Sequence, residues 1–139
     1  MVQDPAGLSV EMLTGSRQDL ARRALAGIRI VNGAAGLLKP DFLARRLDVE
    51  DAAGPMAYPF RMFGIRTILI GADLLARDPA VRRHALRAAV VVHASDTISA
   101  MVAGRSGALP RRAARTATVI SAVNLILAVA ANWSEEDSF

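Results

Sequence analysis

Apolar positions along this chain come in long runs, not in strict alternation. The runs fall at about residues 20–38, 60–76, 79–104 and 111–133. None shows the period-two pattern of a half-buried strand, and Ala and Leu, strong helix formers, fill all four. The pattern predicts four helices. Lys39-Pro40 stops the first, Ser16 with Asp19 three residues later reads as its start, and Asp78-Pro79 reads as the N-cap and first turn of the third. Pro110 opens the fourth. The connection from Pro40 to Pro59 is long and acidic, with room for a short amphipathic helix around Phe42–Leu47. Residues 1–15 read as an N-terminal extension to a domain over 16–133, and 134–139 as an acidic tail.

A helix apolar on every side is either fully buried or membrane-spanning. Residues 30–38, 88–95 and 116–134 carry no charge on any face. A chain of 139 residues is too small to bury four such helices completely. The expected architecture is therefore an all-α, four-helix transmembrane bundle running up-down-up-down, with the lipid bilayer as its first partner.

Charges inside these runs change the picture. Arg29, Arg66, Asp73, His93 and Asp96 interrupt three of the four, and Asn32 and Asn124 add uncharged polar groups. Drawn as spans, the four segments bring these side chains to a common depth near mid-membrane. A charge facing lipid there costs at least about 2.5–3.5 kcal/mol. The expectation is a neutral interior cluster, two arginines against two aspartates, paired between helices: Arg66 or Arg29 with Asp96, and Asp73 with His84 or a loop arginine. Such a cluster either fixes helix register or binds an anion, a polar headgroup or a proton. His93 is the side chain in it whose ordinary pKa lies near neutrality. Gly27, Gly33, Gly36, Gly64 and Gly71 are expected to allow close helix approach. GIRIVNGAAGLL at 27–38 and GIRTILIGADLL at 64–75 agree at six of twelve positions, a weak repeat that would be inverted across one turn.

Composition excludes several chemistries. There is no cysteine, so disulfides and thiolate sites are absent. His84 and His93 are the two histidines, nine apart, a poor basis for a metal or haem site, and no cofactor or metal is expected. Ser95 and Ser99 share one helix with His93 and Asp96, which is incompatible with a catalytic triad. The net charge is +4, carried by arginine pairs between apolar runs and not by a stripe interleaved with aromatics, so no nucleic-acid partner is expected. Seven basic residues flank one membrane face and eight the other, which leaves orientation open.

The segments GLLKPDFLARRL, PFRMFGIRTILIGADLLARDP and RRHALRAAVVVHASDTISAMVAGRSG resemble a family of small four-helix membrane proteins common in actinobacteria and loosely similar to DoxX proteins. The resemblance spans about residues 20–132. It rests on Gly64, Arg66 and Asp96. His93 replaces the first of two aspartates that the family's third helix usually carries. It implies an integral protein of the bacterial plasma membrane and no particular reaction. The leading functional expectation is an accessory subunit binding other membrane proteins or itself. The alternative is a carrier for a small molecule, lipid or proton.

Overall fold

The computed structural model describes residues 5–46 and 57–132. Among them are five helices and no strand: α1 (Pro5–Leu38), α2 (Pro40–Arg46), α3 (Ala57–Asp73), α4 (Pro79–Ser106) and α5 (Arg111–Asn132). Leu47, Trp133 and the acidic tail lie outside the described residues.

The largest departure from the sequence reading is the start of α1. It begins at Pro5, with proline at the first position, where its missing N–H costs nothing. Ser16 and Asp19 do not cap it. Asp19 sits mid-helix and pairs with Arg22 and, at 2.9 Å, with Arg23, one turn on. Nothing between Pro5 and Pro40 breaks the helix, so the cap-like signal is overridden.

Helix α4 starts as expected. Asp78 adopts extended backbone (φ −69°, ψ 120°), and its carboxylate accepts from the Ala80 amide at 2.8 Å, ahead of Pro79. It ends at Gly107, whose φ of 76° favours glycine. The turn after α3 is held by arginines. Arg22 donates to the Leu74 carbonyl at 2.5 Å, and Arg82 donates to the Ala76 and Arg77 carbonyls at 3.2 and 2.9 Å. These carbonyls lie just past the end of α3, in the turn that leads to α4.

Helix α1 packs along α3, and α4 along α5. The α1–α3 pair is antiparallel and backbone-close. A Cβ on Gly64 would meet the Gly33 carbonyl oxygen at 2.6 Å, one on Gly33 would meet the Gly64 oxygen at 2.7 Å, and one on Gly71 would meet Ile30 at 2.8 Å. Gly36 faces the Phe60 carbonyl at 2.9 Å. Gly27 does not share this role: it is exposed, with nothing within 4 Å of an added Cβ. The repeat is thus unequal in space, because its two leading glycines face opposite environments. At the far end of the other pair, Gly104 admits Ala114.

Helix α1 also contacts α5, and α3 touches α4 lightly. The four long helices therefore form a ring with α1 facing α4, and α3 facing α5, across its diagonals. One end is filled by Leu25, Ala26, Leu74, Ala85, Leu86, Ala89, Ala128 and Ala131. The outer faces are apolar. Leu20 is 70 % exposed, Val91 69 % and Ile126 67 %, and Ile65, Leu69, Ile98 and Val119 also point outward. Among the described residues two helices, α4 and α5, are long and apolar enough to cross a membrane. α3 has 17 residues, short of the roughly 20 that a span needs.

Candidate functional site

Where the two diagonals cross, the bundle holds a partly open cavity of about 290 Å³. Every long helix contributes to its wall: Arg29 and Asn32 from α1, Arg66 and Thr67 from α3, His93 and Asp96 from α4, Ser121 and Asn124 from α5. Six of the seven polar residues singled out from the sequence meet here. The inward face of α3 is set by Gly64, Thr67 and Gly71, all buried and spaced by three and four residues. Arg66 stands one residue off that face. It is exposed, and its long side chain still lines the cavity.

Arg29 is 3 % exposed and His93 6 %. The Arg29 guanidinium donates through Nη1 to His93 Nε2 at 2.5 Å, bridging the α1–α4 diagonal. An arginine has only donors to offer. Nε2 therefore accepts, the ring is neutral, and its hydrogen sits on Nδ1. That atom faces Asp96 Oδ2 at 3.9 Å, beyond hydrogen-bond reach. Thr97 donates its hydroxyl to the His93 carbonyl at 2.7 Å.

Three buried polar atoms on this wall have no partner: Arg29 Nε, His93 Nδ1 and Asn124 Oδ1. Two are donors and one is an acceptor. Leaving a buried group unsatisfied costs roughly 1–3 kcal/mol, more for a charged one. All three residues line the one cavity.

Two expectations need correction. The pairing of Arg29 or Arg66 directly with Asp96 is not formed, because His93 takes the Arg29 donor and stands between Arg29 and the carboxylate. Asp73 does not belong to the cluster. It lies exposed at the last residue of α3, away from the cavity, and makes no ion pair among the described residues. The charges around the cavity are then two guanidiniums against one carboxylate, with His93 neutral. The wall is +1, not neutral.

The sequence reading missed Thr67 and Ser121. Thr67 was recoverable: it falls on the small-residue face of α3, between Gly64 and Gly71.

No protein-family model matches the chain, and no curated protein or solved structure matches it. The likeness to DoxX-type proteins rests on the quoted motifs alone.

Proposed function

We propose that this protein is a membrane-embedded binding protein or carrier whose central cavity takes a small monoanion. One observation carries the reading: Arg29 Nε, His93 Nδ1 and Asn124 Oδ1 are unpartnered in a cavity whose wall bears one uncompensated positive charge. A monoanion supplies an acceptor for the unpartnered Arg29 Nε and brings the net charge to zero. In a low-dielectric interior that neutralisation is worth far more than in water.

The outer surface supports the membrane setting. Large apolar side chains project from all four long helices, whereas Arg29, Thr67, His93 and Asn124 are buried inside. A water-soluble bundle has the opposite distribution. Helices α4 and α5 meet the length and composition of a span. The proposal extends the crossing to α1 and α3, whose Leu20, Val31, Ile65 and Leu69 join the same exposed belt. The accessory-subunit reading draws on this belt too, but it leaves the unpartnered atoms unexplained.

Two measurements test the proposal together. Alkaline carbonate washing should leave the protein in the membrane pellet. Equilibrium dialysis of the protein in neutral maltoside micelles against labelled acetate should show one site per chain, lost in Arg29→Gln and kept in Asp73→Asn. Release by carbonate, or acetate binding unaffected by Arg29→Gln, contradicts the reading.

A further inference from the structure

A second chamber, of about 370 Å³, adjoins the central cavity on the α2 side. Asn32, Phe63 and Ile120 line both. The outer chamber is otherwise walled by Leu43 and Arg46 of α2, Pro59 and Phe60 of α3, and Thr116 and Ala117 of α5. Its character is the reverse of the inner one. Phe60, Phe63, Leu43, Pro59, Ala117 and Ile120 present carbon, and the one charged group is Arg46, whose guanidinium lies 4.7 Å over the Phe42 ring. Three shared residues set the two chambers side by side, the inner one polar and positive at the bundle centre, the outer one apolar toward α2.

From this we infer that the ligand is an amphipathic monocarboxylate, its carboxylate in the inner chamber and its hydrocarbon body in the outer one. The inference rests on the proposed anion-binding reading and narrows it. One carboxylate matches the +1 wall. It offers acceptor oxygens beside Arg29, whose buried Nε lacks one. The two chambers together fall in the size range of small-molecule sites, which are mostly apolar with a few placed polar groups. An inorganic anion would satisfy the inner chamber and leave the outer one without an occupant. A cationic amphiphile would place like charge beside Arg29 and Arg66.

The polarity of binding is specific. Arg46 offers a competing anchor at the outer end, where a carboxylate would sit with its tail pointing inward. That orientation would place hydrocarbon against three unsatisfied polar atoms, so the head-inward arrangement is preferred.

The test uses full-length protein in neutral maltoside micelles, with [1-13C]acetate, [1-13C]hexanoate and hexylamine as probes and protein-free micelles as the blank. Hexanoate should bind at least tenfold tighter than acetate; full burial is worth about fourfold per methylene. Hexylamine should not bind. Ala117→Phe, which fills the outer chamber, should remove the hexanoate advantage while acetate still binds. Retained acetate binding also reports that this variant is folded; if acetate is lost there, Phe60→Trp is read in its place. Arg46→Gln should cost hexanoate less affinity than Arg29→Gln does. Acetate binding with no gain for hexanoate, a gain that survives both chamber-filling variants, or a loss of hexanoate on Arg46→Gln as large as on Arg29→Gln overturns this inference and leaves the anion site standing. Failure of both acids to bind overturns the two together.

Discussion

Arg29 on α1 donates to His93 Nε2 on α4 across 2.5 Å, and this bond fixes the tautomer of the imidazole. The two helices face each other across a diagonal of the ring, so the contact acts as a cross-brace. It also directs the ring's remaining hydrogen toward the cavity and Asp96. Register and ligand recognition thus share a residue, and substitutions at 93 should separate them.

His93→Leu removes the acceptor and leaves a buried guanidinium short of a partner. The expected loss is on the order of 3 kcal/mol, since the group is charged. His93→Gln keeps a side-chain acceptor and should recover at least half of that. Thermal denaturation in micelles followed by circular dichroism checks the difference. Equal loss in both variants would show that the ring's packing, not its acceptor, is what matters.

The cavity's charge makes a prediction of opposite sign for its carboxylate. Asp96→Asn removes a repulsive group and should tighten acetate binding about fivefold, on the order of 1 kcal/mol. Arg66→Gln should weaken it by a similar factor. Asp73→Asn should change nothing, because Asp73 lies away from the cavity. Equilibrium dialysis of the three variants gives the ordering directly.

Close backbone approach between α1 and α3 predicts an asymmetry among glycines that look alike in sequence. Gly64→Ala forces a Cβ to within 2.6 Å of the Gly33 carbonyl oxygen, and should cost about 1–3 kcal/mol. Gly27→Ala meets open space and should gain about 0.5–1 kcal/mol from helix propensity. Melting temperatures of the two variants should move in opposite directions.

Asp19 lies outside the proposed spans. The hydrogen bond from Arg22, with the charges of Arg22 and Arg23, holds its carboxyl below the usual value of 3.8. A depressed carboxylate stabilises the fold fully above the unfolded pKa, and the contribution disappears as pH falls through the lower, folded value. The stability difference between wild type and Asp19→Asn should therefore be constant above about pH 5 and close below pH 4. Melting curves at pH 3 and pH 6 test it, and a difference that widens in acid contradicts the assignment.

Much of the site was legible because lipid-length apolar runs make any interior polar residue conspicuous. Arg29, Asn32, Arg66, His93, Asp96 and Asn124 stood out and converge on one cavity. Asp73 stood out equally and does not. It is seven residues from Arg66, two turns along the same face of α3, and that face is not the inward one. Arginine reaches the cavity from there, and aspartate, shorter and roughly 10 Å further along the helix, does not. Spacing alone says nothing of side-chain reach. The start of α1 was misread for a different reason. Ser16 and Asp19 have the spacing of a local cap, but Asp19 pairs with Arg22 and Arg23 once the helix continues. The outer chamber was not legible at all, since α2, α3 and α5 build it from ordinary apolar residues far apart in the chain.

The most direct test is anomalous diffraction from crystals grown in a lipidic phase and soaked in bromide, a heavy monoanion. The account predicts a bromide peak inside the bundle, beside Arg29 and within reach of Asn124 and Arg66, in a protein whose apolar belt is covered by lipid. Bromide found only at the outer arginines of the α4–α5 turn, such as Arg105, Arg111 and Arg112, with nothing at the centre, would contradict it.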